Sequence, residues 1–266
     1  MDKPPIIRPF STRELSDLQH AKSLLESAPL AIRLANSLGS PLEKGFALLP
    51  KGWNNTVNKA TRGALMKALS VAVATLGKSK RRSSREFFHK VLAGTSGGIG
   101  GAFGLAAVPI ELPISTTIIL RSIAEIARSE GHDLSRIETK LACLEVFALG
   151  GKEAENTYWV TRAAMSQAMS DATAYLAQKG IVREGAPAVA RLVNSIAARF
   201  GVVVSEEVAA KAVPVIGAAS GGIINVVFLS HFQEMARGHF IIKRLEAAHG
   251  PEQVRYAYDN LQDAKS

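Results

Sequence analysis

Residues 135–175, SRIETKLACLEVFALGGKEAENTYWVTRAAMSQAMSDATAY, decide the fold class of this chain. Ser135 followed three positions later by Glu138 is the pattern of a capping box, which opens an α-helix. We expect that helix to bury its apolar positions and to end at the glycine pair Gly150 and Gly151. The apolar positions are Ile137, Leu141, Leu144 and Ala148.

A second helix follows, in which apolar and small residues recur at spacings of three and four. These residues are Tyr158, Thr161, Met165, Ala168, Ala172 and Tyr175. Such a seam is typical of a closely packed helix pair. Signals for strands are scarce, because the chain has no Asn-Gly or Asp-Gly turn and no sustained alternation of apolar and polar residues. We therefore predict an all-α protein, a single multi-helix bundle in which residues 1–266 form one domain.

Further helices are indicated by helix-period apolar residues bounded by proline and glycine. The predicted segments are 14–38, interrupted at Pro29; 56–76, with Gly77 as its stop; one from Pro187 to Gly201; and a last one that starts at Pro251. Residues 44–55 contain Pro50 and are expected to form a connector.

The composition is that of an ordinary globular chain. Its 266 residues are 47% hydrophobic and 21% charged, which excludes a disordered polypeptide. The single cysteine, Cys143, excludes a disulfide scaffold and a multi-cysteine metal site, and it suits a reducing compartment. Because its neighbours are apolar, we expect Cys143 to be a buried structural thiol. The first residues lead into no apolar signal sequence, so we expect a cytoplasmic protein.

The positive charge is concentrated in the first third of the chain. Residues 1–90 hold 16 Lys and Arg against 6 Asp and Glu, whereas residues 91–266 hold 16 against 17. The densest stretch, residues 78–90, has six basic residues and one acid. Anionic lipid headgroups attract such a stretch by roughly 1 kcal/mol per basic residue. The candidate lipid- or anion-binding residues are Lys78, Lys80, Arg81, Arg82 and Arg85. A solvated loop is the alternative, and no nucleic-acid partner is expected because no recognition motif accompanies the run.

Two long uncharged segments are rich in glycine. They are residues 91–110, VLAGTSGGIGGAFGLAAVPI, and residues 212–230, AVPVIGAASGGIINVVFLS. Glycines spaced by four expose bare backbone and allow close helix packing. The helix-packing glycines are Gly94, Gly97, Gly98, Gly100, Gly101, Gly104, Gly217 and Gly221. Two interpretations stay open: the segments form two central glycine-rich helices of a soluble bundle, or they insert into a membrane as a shallow or re-entrant hairpin.

The sequence Pro109-Ile-Glu111-Leu-Pro113 follows the first segment. Two prolines so close together predict a break in the helix. A carboxylate in these apolar surroundings needs a charged partner. We expect ion pairs of Glu111 with Arg121 and of Glu125 with Arg128 to support the turn.

The best polar constellation combines His231, Glu234 and His239, with Glu111 and Glu145 as further members. His231 and Glu234 are one helical turn apart and could present an imidazole and a carboxylate to one ion. His231, Glu234, His239 and Glu111 are therefore the catalytic candidates. The alternative is a structural polar stripe that neutralises Arg237.

The sequence has no HExxH, P-loop or GxGxxG pattern. We accordingly expect no cofactor and no resident metal, and the sequence favours a non-catalytic protein.

Several blocks of the sequence resemble the EcsC protein family. They are 42–45 LEKG, 51–53 KGW, 108–128 VPIELPISTTIILRSIAEIAR, 141–151 LACLEVFALGG, 198–201 ARFG, 213–218 VPVIGA, 231–240 HFQEMARGHF and 244–246 RLE. The resemblance covers roughly residues 42–250.

The resemblance implies a link to an ATP-binding cassette transport system, because the family takes its name from a bacterial gene set that encodes such a transporter. We therefore expect a role at or near the inner face of the membrane, with an anionic membrane surface and a membrane or transporter protein as partners. Some relatives carry a peptidase label, so the resemblance also implies a hydrolase as the alternative, with its polar site around His231, Glu234 and His239. A soluble protein-interaction scaffold is a third reading.

Overall fold

A computed structural model describes residues 8–77, 108–149, 157–183, 185–212 and 219–261. Within these ranges the chain forms ten packed α-helices and no strand, which confirms the all-α prediction. The helices are α1 Thr12–Leu25, α2 Leu30–Leu38, α3 Leu42–Ala47, α4 Trp53–Thr75, α5 Val108–Ser129, α6 Ile137–Glu145, α7 Thr157–Lys179, α8 Pro187–Ala212, α9 Ala219–His249 and α10 Pro251–Asn260. A 3-10 turn, Val146–Ala148, follows α6.

Most helix boundaries agree with the sequence prediction, and two do not. Segment 14–38 is divided before Leu30 as Pro29 predicts, and Pro187 and Pro251 each begin a helix. The predicted connector 44–55 was wrong in part, because it contains most of α3 and the start of α4. The predicted end at Gly201 was also wrong, because α8 continues to Ala212. There Gly201 lies in a close crossing with Asn58 of α4, and packing overrides its weak helix propensity.

The predicted capping box of Ser135 with Glu138 was wrong. At α6 the N-cap is Arg136 without a side-chain cap, and Ser135 instead donates its backbone N–H and its hydroxyl to Asp133 at 2.8 and 2.7 Å. Asp133 competes successfully because an Asx turn satisfies the same groups locally. A capping box does form at α1, where Ser11 Oγ accepts from the Glu14 N–H and Glu14 accepts from the Ser11 N–H at 2.8 Å.

The predicted break at the two prolines was wrong. Helix α5 is continuous from Val108 to Ser129 with Pro113 inside it. Both prolines lie within the first six residues of the helix, where most backbone N–H groups have no intrahelical acceptor. Few hydrogen bonds are therefore lost.

Four buried phenylalanines form the centre of the core, and we call them the phenylalanine cluster. Phe147 of the 3-10 turn lies 4.9 Å from Phe200 of α8 and 5.3 Å from Phe232 of α9 between ring centroids. Phe228 lies 5.2 Å from Phe232 in an edge-to-face arrangement. Each such pair contributes about 0.5–1.5 kcal/mol beyond the burial of its area. The cluster joins the 3-10 turn to the two longest helices of the described structure.

Helix α8 is the central helix of the bundle. It packs against α2, α3, α4, α7, α9 and the 3-10 turn, and its residues from Val203 to Ala210 are buried except for the partly buried Ser205. Among the described residues it is the one helix long and apolar enough to cross a membrane, and half of that stretch is buried inside the protein. The central helix of a helical bundle commonly has the same length and composition as a membrane-spanning helix.

Helices α5 and α9 are neighbours that run in the same direction. Gln233 of α9 donates to Ser122 of α5 at 2.8 Å. Further along both helices, Arg237 lies 3.6 Å from Glu130, just after the end of α5. The N-terminal halves of α5 and α9 therefore lie at the same end of the bundle, which also receives the C-terminus of α8 through the ion pair of Lys211 with Glu111.

Gly77 lies just after the C-terminal end of α4, as the sequence predicts. Its φ of +87° is in the region that favours glycine, and a Cβ there would lie 2.7 Å from the carbonyl oxygen of Leu134. Because Leu134 follows the C-terminus of α5, helices α4 and α5 run in the same direction.

Helix α1 crosses α9 at a glycine that is not among the predicted packing glycines. A Cβ at Gly238 would lie 2.6 Å from Leu25 Cγ and 3.1 Å from the carbonyl oxygen of Ala21. No real Cβ tolerates the first distance, so the two helices approach at a separation that only glycine allows. The predicted packing glycines up to Gly217 lie outside the described residues, and Gly221 lies in the first turn of α9.

Replacing Gly238 by alanine should destabilise the protein by about 1–3 kcal/mol, because the new methyl group forces α1 away from α9. Gly63→Ala is the matched control, since Gly63 is exposed in the middle of α4 with open space around a Cβ. It should stabilise the protein by up to about 1 kcal/mol. Urea unfolding followed by circular dichroism measures both. Equal effects of the two substitutions would contradict the close crossing.

Candidate functional site

A set of polar residues, three of which are buried, forms a line across three helices. We call this set the polar line, and it consists of Glu145, His239, Tyr158, Arg162 and Glu246. Glu145 is the last residue of α6, and Tyr158 and Arg162 lie one turn apart at the start of α7. His239 and Glu246 lie two turns apart on α9, so their side chains leave the same face of that helix.

Arg162 anchors the outer end of the polar line. Its guanidinium donates to both carboxylate oxygens of Glu246, at 2.6 and 2.9 Å. The same group donates to the hydroxyl of Tyr158 at 3.3 Å and lies over the rings of Tyr158 and Trp159 at 5.3 and 5.4 Å from their centroids. A bidentate, stacked arginine of this kind holds α7 firmly against α9.

The inner end of the polar line reaches His239. Tyr158 Oη lies 3.1 Å from His239 Nδ1, and His239 Nε2 lies 3.5 Å from a carboxylate oxygen of Glu145. Arginine can only donate, so the tyrosine oxygen accepts from Arg162 and its own proton points to Nδ1. This direction assigns the proton of the neutral imidazole to Nε2, which faces Glu145 across a gap that is long for a hydrogen bond.

Burial shifts the proton equilibria of His239 and Glu145 towards their neutral forms. Burial lowers the pKa of His239 well below its ordinary value, and the positive charges of Lys243, Arg162 and His132 lower it further. Burial raises the pKa of Glu145, against the opposing attraction of Arg162 and Lys243. His239 is therefore a neutral imidazole at neutral pH.

The polar line is closed to substrates. His239 is fully buried, and Glu145 and Tyr158 are only 5 and 6% exposed. A neutral imidazole between a phenol and a carboxyl group could pass a proton along the line, but a general acid or base must also reach the reacting atom. The arrangement therefore braces α6, α7 and α9 against one another.

The catalytic candidates from the sequence have separate partners. Both carboxylate oxygens of Glu234 accept from Arg33 of α2, at 2.6 and 2.9 Å. Glu111 accepts from Lys211 of α8 at 2.8 Å. His231 is buried on α9, eight positions and about 12 Å of helix rise before His239. Of the candidate set, His239 and Glu145 are the two that the structure places side by side.

The two predicted ion pairs and the predicted polar stripe have different outcomes. Glu125 and Arg128 are paired at 2.9 Å, as predicted. The pairing of Glu111 with Arg121 was wrong, because Lys211 reaches Glu111 from the neighbouring α8 and also binds Glu207 at 2.8 Å. Arg237, which the sequence assigned to a polar stripe, faces Glu130.

Neither a metal site nor a reactive thiol is found in the part of the chain that the structure describes. No group of three or more His, Cys, Asp or Glu side chains there is arranged to hold a metal ion. Cys143 is fully buried, and burial raises its pKa to about 12. It is a structural thiol, as predicted.

The candidate lipid-binding residues lie outside the described residues, as do most of the candidate glycines. They are Lys78, Lys80, Arg81, Arg82 and Arg85, and Gly94, Gly97, Gly98, Gly100, Gly101, Gly104 and Gly217.

Sequence reasoning missed three members of the polar line. Tyr158 was assigned to an apolar seam, and Arg162 and Glu246 were not singled out. The seam itself is confirmed by the burial of Tyr158, Thr161, Met165 and Ala172. The sequence does contain one indication of this set. Arg162 is a charged residue one helical turn after Tyr158, and the seam directs Tyr158 towards the interior.

Comparison with known proteins identifies the family. The model of the EcsC protein family matches residues 13–245. The chain belongs to the EcsC protein family. The match begins at residue 13, so α1, with its capping box and its crossing at Gly238, belongs to the EcsC region, which the sequence blocks alone had placed from residue 42. Neither the curated proteins nor the solved structures that were compared contain a match.

Acid should destabilise this EcsC protein through His239. Because the folded pKa of His239 is below its ordinary value of 6.5, the unfolded chain takes up a proton that the folded chain refuses as the pH falls. The stabilisation is present above about pH 6.5 and is lost below it. In His239→Asn, which keeps an acceptor for Tyr158, the free energy of unfolding should fall less between about pH 7 and pH 5 than in the wild type.

The control for this pH profile is His20→Asn, at an exposed position of α1. Its slope should match that of the wild type. The lowered pKa of His132 persists in both variants, so a smaller residual slope is expected in His239→Asn. A slope identical to that of the wild type in His239→Asn would refute the assignment.

Removing the arginine of the polar line should cost far more than removing an exposed arginine. Arg162→Met leaves Glu246 and Tyr158 without their donor in a largely buried site, and we expect a loss of about 3 kcal/mol. Arg191→Met is the matched control, because Arg191 pairs with Asp171 on the surface at the same kind of distance. That change should cost less than about 1 kcal/mol. Chemical denaturation at neutral pH compares the two losses, and similar values would show that the line does not brace the fold.

Proposed function

We propose that this protein acts without catalysis at or near the inner face of a membrane, as an accessory factor to an ATP-binding cassette transport system. Its direct partner is the anionic membrane surface, and a membrane or transporter protein is the second. The transporter part of this proposal rests on membership of the EcsC family, which is named after a transporter gene set. The membrane component rests on the chain itself.

The observation that carries the proposal is the position of the positive charge. The whole surplus lies within residues 1–90, and its densest part, residues 78–90, directly precedes an uncharged segment of 20 residues. A basic stretch beside an apolar stretch is the combination that holds peripheral proteins at anionic bilayers, because electrostatic attraction and burial of apolar surface add.

The contacts of the polar residues support a non-catalytic role. The ion pairs of Glu234 with Arg33 and of Glu111 with Lys211 join different helices, and His239 is enclosed by the bundle. Each of these groups has a structural task, and a hydrolase would need at least one of them to face its substrate. No contact in the described part of the chain favours the hydrolase alternative over this reading.

The residues on either side of the segment 78–107 lie at opposite ends of α5. Gly77 lies beyond the C-terminal end of α5, near Leu134, whereas Val108 begins α5. The 30 residues between them therefore connect opposite ends of a helix about 30 Å long. They bring the chain from the basic run to the end of the bundle where α5, α8 and α9 meet.

Flotation with liposomes tests the proposal. The wild-type protein should float with vesicles that contain phosphatidylserine and not with vesicles of phosphatidylcholine alone, and the binding should weaken as salt is raised. Replacement of Lys78, Lys80, Arg81, Arg82 and Arg85 by glutamine should reduce binding to the anionic vesicles by at least about a hundredfold at low salt. Unchanged binding of this variant would overturn the assignment of the basic run.

A control with the same change of net charge separates local from overall electrostatics. Five exposed basic residues of the described first third make no ion pair there, and they are Lys44, Lys51, Lys59, Arg62 and Lys67. Their replacement by glutamine also lowers the net charge from +9 to +4. This variant should retain most of its vesicle binding. Equal losses in both variants would show that net charge alone attracts the protein.

A further inference from the structure

Four exposed apolar side chains lie on α5 and α9, whose first residues belong to the two uncharged segments. Ile110 and Ile114 on α5 are 70 and 53% exposed, and Ile223 and Val226 on α9 are each 47% exposed. We call these four residues the apolar strip. Spacings of four and three place the two members on each helix one turn apart on one face. A single exposed apolar residue such as Val160 needs no explanation, whereas several on neighbouring helices can mark an interaction surface.

All members of the apolar strip lie at one end of the parallel α5–α9 pair. Measured back from the contact of Ser122 with Gln233, Ile114 is eight residues and Val226 is seven residues nearer the N-terminal ends. At 1.5 Å per residue these positions lie about 12 and 10 Å from that contact, and so at the same height along the pair.

One cluster of charges at this end of the bundle is neutralised inside the protein. Lys211 binds Glu111 and Glu207, each at 2.8 Å, and the three side chains are at most 23% exposed. On α9 no Asp, Glu, Lys or Arg occurs from Ala219 to Gln233.

Arg121 lies on α5 beyond the C-terminal end of the apolar strip. It is exposed, it makes no ion pair with any described residue, and it is seven residues beyond Ile114, on the same face of the helix. Seven residues correspond to about 10 Å of rise, which equals the depth to which interfacial helices enter a bilayer. With Ile114 in the acyl region, the Arg121 guanidinium would lie among the headgroup phosphates.

We propose that the apolar strip is the surface of this protein that enters the boundary between headgroups and acyl chains of an anionic bilayer, with Arg121 at the level of the phosphates. This inference rests on the proposed membrane function and adds to it a site and an orientation. The occupant is a lipid bilayer rather than another protein, because the strip continues directly into the two uncharged segments and because the surplus charge of the chain is positive.

Site-specific fluorescent probes test the inference on the full-length protein. The native thiol of Cys143 is buried with its pKa raised to about 12, so a thiol-reactive environment-sensitive dye such as NBD labels an introduced cysteine selectively. The labelled variants are Ile114→Cys and Val226→Cys. The matched control is Val160→Cys, since Val160 is 63% exposed but lies beside Arg162, which binds Glu246, about 30 Å further along α9 from Val226.

Addition of phosphatidylcholine vesicles that contain phosphatidylserine should shift the emission of the probes at 114 and 226 to the blue and increase it severalfold, and should leave the probe at 160 unchanged. Flotation of the same samples without a shift at 114 and 226 would overturn the apolar strip while the proposed function stands. Absence of flotation would overturn both. Probes at 114 and 226 that are shielded before vesicles are added would show that residues 91–107, residues 213–218 or a second copy cover the strip, which also overturns the inference.

A second measurement does not depend on labelling. The double variant Ile114→Asn with Val226→Asn should keep the salt-sensitive binding of the basic run and lose most of the binding that resists high salt, with an apparent affinity on the order of tenfold lower. Val160→Asn should bind like the wild type. Because all three positions are exposed, the variants should unfold at the same denaturant concentration as the wild type. Equal salt-resistant binding of the two variants would overturn the inference.

Discussion

The packing of Phe147 against Phe200 and Phe232 is the interaction on which the rest of the structure depends. It fixes the 3-10 turn after α6 to the two longest described helices, and it does so at the centre of the core. Because Phe147 enters the core two residues after Glu145, the carboxylate of Glu145 is carried inward with it. A buried carboxyl group needs polar neighbours, and His239 and Arg162 supply them. The polar line is thus a consequence of the apolar cluster and helps to orient α7.

Charged residues that are largely buried differ in their contacts from charged residues that are exposed. Arg33, Arg162 and Lys211 each join two helices through carboxylates that are largely removed from solvent. In the described part of the first third, the exposed residues Lys44, Lys51, Lys59, Arg62 and Lys67 make no ion pair with another described residue.

Local chemistry explains which elements the sequence predicted well. Pro29, Pro187 and Pro251 mark helix boundaries because proline fixes φ and removes a donor, whatever the rest of the fold does. The seam of α7 was predictable because helical periodicity selects one face for burial.

The predictions that failed have tertiary or competing local causes. Asp133 captured the serine expected to cap α6, the N-terminal position of Pro109 and Pro113 made them compatible with α5, and packing against Asn58 carried α8 past Gly201. In the candidate site, His239 and Glu145 were recognisable as polar residues in apolar surroundings, but their partners Tyr158 and Arg162 come from a helix that sequence spacing does not relate to them.

The sequence by itself determined that this protein is helical, that its positive charge belongs to the first third and that it resembles the EcsC family, because composition, periodicity and local blocks of residues are properties of the chain. Tertiary structure alone decided which charges meet. Glu111 binds Lys211 rather than Arg121, because Arg121 lies ten residues, or about 15 Å of helix rise, further along α5. Tertiary structure also decided that α1 and α9 cross closely at Gly238 and that the N-terminal halves of α5 and α9 lie side by side. These are distances between residues far apart in sequence, and they follow only from the way the helices share one core.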